Sequence, residues 1–172
     1  FVYQNNPKGT GDAVLKTKNL IKDKFFLMLL PDDLIIKRNC SKDMILMHNK
    51  KKCSVMASMK VKRKTVNRWG VYSKKNNINK NNFYINDVVE KPDIKSAPSN
   101  NAVIGRYILP KKIFKKLQNQ KKGKGGEIHI TDSIRRLIKD GETFVGHNFK
   151  GKYLDCGTMD GYINSSIEIS KI

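Results

Sequence analysis

Short apolar runs of strand length alternate along this chain with stretches whose apolar residues recur at helical spacing, and that alternation restricts the fold more than any other feature. Residues 25–30, 54–59, 84–89 and 102–109 read as strands. Between them lie segments with Ala13, Val14, Thr17, Leu20 and Ile21 on one helical face, then Met44, Ile45 and Met47, then Ile113, Phe114 and Leu117, then Ile134, Leu137 and Ile138. Strands interleaved with helices predict an α/β fold, a mixed and mostly parallel sheet covered by helices on both faces. Residues 1–4 read as a further strand, residues 142–149 and 153–154 as two more, and residues 159–169 as a last helix.

Local punctuation supports these boundaries. The run at 25–30 is expected to be a buried strand halted by Pro31-Asp32-Asp33. Ser41 is a suitable N-cap, Pro110 a suitable helix opener, Thr131 or Asp132 a suitable cap for the clearest helix, and Gly141 its C-terminal stop. The polar, asparagine-rich stretch 74–82 reads as a surface loop. Because the chain opens on Phe1 inside an apparent strand, it reads as lacking upstream sheet strands, so residues 1–172 are expected to form part of one domain.

Composition narrows the function classes. No apolar run approaches the roughly 20 residues a membrane helix requires. Cys40, Cys53 and Cys156 are an odd set with no paired spacing, which disfavours a disulfide or metal framework and suits a reducing cytoplasm. Lys and Arg number 35 against 15 acidic residues, a net charge of +20. Such an excess admits a nucleic-acid partner. The charge is mostly lysine spread along the chain, however, and runs such as Asn49-Lys50-Lys51-Lys52 carry no aromatics to stack on bases. A solvated basic surface, which also draws in phosphorylated small molecules, fits better.

Several residues are placed for chemistry. Asp32 directly follows a strand, where open α/β sheets bind ligands, although Pro-Asp-Asp is equally good turn chemistry. Asp155, in Leu154-Asp155-Cys156-Gly157, repeats the arrangement, and Mg²⁺ is held by one or two carboxylates together with substrate phosphates. Glu90-Lys91-Pro92 joins a hydroxyl acceptor to a compact cation at a strand end. Gly9 and Gly11 precede a helix, where amides can approach a phosphate or a base, and Gly70 and Gly105 interrupt strand-like stretches, marking a bulge or a close approach. His48, His129 and His147 have no metal-ligand spacing.

The order of these stretches carries more than any one of them. Gln4 with Lys8-Gly9-Thr10-Gly11-Asp12-Ala13-Val14, Leu30-Pro31-Asp32-Asp33, Arg68-Trp69-Gly70-Val71, Val89-Glu90-Lys91-Pro92 and Ala97-Pro98-Ser99-Asn100 resemble bacterial UTP–glucose-1-phosphate uridylyltransferases. So do Ile104-Gly105-Arg106-Tyr107, Gly126-Glu127-Ile128-His129-Ile130-Thr131-Asp132 and Tyr153-Leu154-Asp155-Cys156-Gly157. The resemblance spans nearly the whole chain. It implies a Rossmann-like nucleotide-diphospho-sugar transferase fold and a Mg²⁺-dependent transfer of uridylyl from UTP to glucose 1-phosphate. It further implies that Gln4 and Gly9 meet the uracil, Asp32 and Asp155 hold Mg²⁺, Gly70, Glu90 and Gly105 line the sugar pocket, and Lys91 meets the sugar phosphate. The family's glycine-rich triphosphate loop would lie upstream of Phe1, so this chain on its own could be inactive. Asp12, Thr10 and Trp69 depart from the residues common at those positions, and Asp12 would repel a triphosphate unless it faces away or joins the metal shell. A dTTP-using relative and a basic nucleic-acid binder are the alternatives, no membrane partner is expected, and homo-oligomerisation stays open.

Overall fold

The computed structural model describes residues 1–172 and contains six strands in one sheet, two in a smaller one, and five α-helices. The strands are β1 (Phe25–Leu29), β2 (Asp33–Ile36), β3 (Ser54–Lys60), β4 (Gly70–Asn77), β5 (Asn82–Glu90), β6 (Asn101–Pro110), β7 (Phe144–Asn148) and β8 (Lys152–Asp155). The helices are α1 (Thr10–Lys16), α2 (Cys40–Lys51), α3 (Ile113–Gln118), α4 (Ile130–Lys139) and α5 (Met159–Ile169). The large sheet runs β1-β6-β3-β7-β5-β4, and β2 pairs with β8 alone.

Period-2 alternation sorts the central strands between two cores. Val55 and Ala57 face one side of β3 and Met56 the other; on β6, Ile104 and Ile108 oppose Val103, Tyr107 and Leu109. Helix α2 closes the first face through Cys40 and Met44. Helices α1, α3 and α4 close the second through Val14, Ile113, Phe114, Leu117, Ile134 and Leu137. A sheet apolar on both faces needs a helical layer on each, so the α/β class with helices on both sides follows from the residues.

The expectation of a mostly parallel sheet is corrected. Only β3 and β7 run parallel; β1–β6, β3–β6, β4–β5, β5–β7 and the single β4–β6 bridge are antiparallel. The hairpin of β4 and β5 accounts for much of the difference, because the polar 74–82 stretch is the end of β4 and a tight turn rather than a loop. Residues 1–4 form no strand, and β1 is half-exposed rather than buried, with Leu27 and Leu29 open to solvent. Helix α1 stops at Lys16, leaving Leu20 exposed. Asn39 rather than Ser41 caps α2, accepting from the Lys42 N–H, and His129 rather than Thr131 or Asp132 stands at the N-cap of α4. Gly141, with φ of 92°, follows α4 as expected, and α5 has the expected bounds.

A methyl group at Gly146 of β7 would overlap the Phe83 ring, so Gly146→Ala should cost about 1–3 kcal/mol of stability in chemical denaturation. Buried His147 lies with Nδ1 2.8 Å from Asn82 Oδ1 and its Nε2 unpartnered, and burial pushes its pKa below 6.5. The unfolded chain then takes up a proton near that value before the native state does, so stability should fall as pH drops below about 6.5. His147→Gln should flatten that dependence in melting curves recorded between pH 7.5 and 5.

Candidate active site

Adjacent aspartates after β1 divide two tasks. The Asp33 carboxylate is buried: Oδ2 accepts the Gly105 N–H at 2.6 Å and Oδ1 accepts the Tyr153 hydroxyl. Arg106 donates to the carbonyls of Asp33, Leu30 and Gly105. Burial raises the Asp33 carboxyl above its usual range, and the two hydrogen bonds oppose that rise. This knot ties β1 and β2 to β6 and β8, and it leaves Asp32 exposed on the adjoining turn.

The register of β2 with β8 then brings the second carboxylate to the first. Asp33 pairs directly with Asp155, and the Asp32 carbonyl accepts the Cys156 N–H at 2.7 Å. Gly157 lies between the two side chains: a Cβ there would stand 3.0 Å from Asp32 Oδ2 and 3.3 Å from Asp155 Oδ1. Asp155 also accepts the Gly157 N–H at 3.0 Å and lies 3.4 Å from Arg68 in a partly exposed ion pair. Two oxygen donors around one solvent-facing point suit a hard divalent cation that keeps waters and phosphate oxygens as its other ligands.

Beside this pair opens a cleft of about 460 Å³ whose walls come from the β1–β2 turn, β2, β4, β5, β6, β8, the start of α1, α4 and the β8–α5 turn. Asp32, Gly70, Glu90, Lys91, Gly105 and Asp155 all line it. The hairpin register sets Gly70 opposite Glu90, and the Val71–Ala102 bridge swings both against β6. Gly70 leaves room for the carboxylate, since a Cβ there would stand 3.3 Å from Glu90 Oε2. Gly105, read as a bulge or a close approach, lies in the register shift of β6 against β3, and Leu30 Cβ and the Asp33 carboxylate fill the space a side chain would need. Lys91 has a left-handed backbone (φ 43°), held by its N–H to the Trp69 carbonyl at 2.9 Å.

Gln4 and Gly9 are not among the residues lining this cleft; they stand at the start of α1, whose Thr10 does line it. Gly9 (φ 108°) and Gly11 pack against the Ile128 carbonyl, which accepts the Gly11 N–H at 2.7 Å. Asp12 is buried and accepts the Gln4 amide, whose other N–H reaches the Gly9 carbonyl at 3.4 Å. Its charge therefore meets a donor and faces away from the cleft.

Residues that lie within the motifs but have no role assigned from sequence complete the walls: Asp33, Tyr107, Glu127, His129 and Tyr153. Burial foremost, with the nearby carboxylates adding, pushes the Tyr107 hydroxyl well above its ordinary value, so it enters the cleft as a neutral donor. A larger depression of about 750 Å³, lined by Lys51, Lys52, Lys75 and Tyr84 among others, contains none of the candidate metal-, sugar- or nucleotide-binding residues.

A mixed α/β domain with paired strand-end carboxylates beside a Glu-Lys step is the arrangement of a nucleotide-transferring protein, and the chain belongs to the nucleotidyl transferase family, whose profile matches residues 1–171. Its relatives are more particular. The chain is 38% identical over 169 residues to a UTP–glucose-1-phosphate uridylyltransferase of Pseudomonas aeruginosa, covering 96% of this chain and 60% of that protein. It superposes at a TM-score of 0.91 and 40% identity on a UDP-glucose pyrophosphorylase complexed with UDP-glucose, covering 98% of this chain and 64% of the other. A UTP-bound enzyme of the same name from Acinetobacter baumannii gives 0.81 and 31%, over 95% of this chain and 57% of the other. The chain thus spans about 60% of the length of the curated relatives it matches.

Proposed function

We propose that this chain forms the sugar-phosphate and metal half of an enzyme that transfers uridylyl from UTP to glucose 1-phosphate, releasing pyrophosphate. The observation that carries the proposal is the meeting of Asp32 and Asp155 at Gly157, in the same cleft as Glu90 and Lys91. Relatives whose names include UTP and UDP-glucose support that choice of substrates.

In this proposal a phosphate oxygen of glucose 1-phosphate attacks the α-phosphorus of UTP in line, and pyrophosphate leaves with the electron pair. The protein's part is positioning and charge neutralisation, with no covalent intermediate. Lys91 meets the sugar phosphate and aims its oxygen; Glu90 accepts sugar hydroxyls; Gly70 keeps the wall thin beside it. Asp32 and Asp155 would hold Mg²⁺, which neutralises phosphate charge when bound. At the base, Asp12 takes one Gln4 N–H and the Gly9 carbonyl faces the other, leaving the amide oxygen as an acceptor. An acceptor there suits the imide N–H of uracil and opposes the bare ring nitrogen of cytosine.

Three free cysteines, two of them buried, support a reducing, cytoplasmic setting; burial pushes the Cys40 thiol up to about 12, well outside the reactive range. No helix is long and apolar enough to cross a membrane. Assaying the full-length protein with glucose 1-phosphate and each of UTP, dTTP and CTP tests the proposal. UDP-glucose should form fastest and only with Mg²⁺ or a similar cation present. Equal turnover of dTTP would move the assignment to a thymidylyl enzyme, and no turnover with any of them would end it.

A further inference from the structure

Three hydrogen-bond acceptors converge at the α4 end of the cleft, with no donor among them. His129 is buried, its side chain 7% exposed, and its Nε2 lies 2.7 Å from the Lys124 carbonyl oxygen. A carbonyl only accepts, so Nε2 carries a proton and donates, and whenever the ring holds that proton alone Nδ1 is a lone pair. That lone pair stands 4.0 Å from Glu90 Oε1 and 4.0 Å from Glu127 Oε2. These separations are too long for direct hydrogen bonds, and an oxygen on the cleft side at about 2.8 Å from each partner can bridge them. Glu90, with its side chain 14% exposed, is poorly placed to take this hydration from bulk water. The backbone holds the trio in place: the His129 carbonyl accepts Gln120 at 2.7 Å, and Lys124 in turn donates to the Lys91 carbonyl.

From this arrangement we infer that His129 Nδ1 accepts a hydroxyl proton from the sugar, which makes His129 a specificity-determining residue beside Glu90 and Glu127. The inference rests on the proposed function. One hydroxyl has a single proton and can serve only one acceptor, so the site asks for two neighbouring hydroxyls, one directed at the imidazole and one at a carboxylate. A phosphate, itself an acceptor, is refused at this end by the two carboxylates and the lone pair. The trio therefore also orients the substrate, with the ring hydroxyls toward α4 and the phosphate toward Lys91 and the aspartates.

The test is calorimetric binding of UDP, UDP-glucose and its monodeoxyglucose analogues to the full-length protein and to His129→Phe. The native protein should bind at least one deoxy analogue about tenfold or more weaker than UDP-glucose, the cost of leaving buried acceptors unpaired. His129→Phe should weaken UDP-glucose by a similar factor, leave UDP unchanged, and no longer distinguish that analogue. If the phenylalanine variant melts abnormally, His129→Leu, which likewise removes the acceptor, replaces it, with the same expectation. Retained discrimination in the variant, or equal weakening of UDP and UDP-glucose, overturns the role of His129 alone. Failure of the native protein to bind UDP-glucose at all overturns the proposed function with it.

Discussion

Asp32→Ala is expected to lower UDP-glucose formation by on the order of 10³-fold while leaving the melting temperature unchanged, because the lost contribution is the several kcal/mol that a divalent cation supplies to a phosphoryl-transfer transition state. The side chain is exposed, so its removal opens no cavity. Its structural contact, the carbonyl accepting the Cys156 N–H, belongs to the backbone and survives the substitution. Asp155→Asn should act in the same direction, with a smaller loss because one amide oxygen remains as a ligand. A fall in activity accompanied by a matching fall in stability would mean that Asp32 is structural after all.

Asp33→Ala, one residue further, should do the reverse and remove stability first. The buried Gly105 N–H and Tyr153 hydroxyl would both lose their acceptor, at about 1–3 kcal/mol for each buried group left unpaired. In a domain with about 5–15 kcal/mol in total, that shifts the unfolding midpoint visibly. Asp33→Asn keeps the shape, yet its amide nitrogen confronts one of the two donors, so it should recover only part of the loss. Equilibrium denaturation of both variants measures the difference. Stability equal to that of the native protein in Asp33→Ala would mean that the knot between β2, β6 and β8 contributes little.

The contrast between these neighbours shows what a single sequence makes legible. Pro31-Asp32-Asp33 marks a strand end, but nothing local says which carboxylate turns inward; that depends on Gly105 and Tyr153, far away in the chain. The sheet's existence and its two apolar faces were readable because Val55, Met56 and Ala57 alternate between cores. Strand direction was not, since pairing is decided by partners rather than by the strand's own residues. The 74–82 stretch looked like a loop because hairpin edges exposed to water tolerate Lys and Asn, and β2 was overlooked because four residues between a turn and Lys37-Arg38 give too short a pattern. Glu90, Lys91, Gly70 and Asp155 could be singled out from their motifs. His129 could not be assigned a role, because its role follows from which nitrogen faces Lys124 and which faces Glu90.

The proposed transfer depends on two carboxylates remote in sequence sharing one divalent cation beside the substrate phosphates. Manganese, which is paramagnetic and takes the same oxygen ligands, reads this directly: its binding to the full-length protein can be followed by electron paramagnetic resonance with UTP present, in the native protein and in Asp32→Asn and Asp155→Asn. One ion bound per chain in the native protein, with affinity reduced about tenfold or more by either substitution, is the expected result. Unchanged manganese affinity in both variants would contradict it.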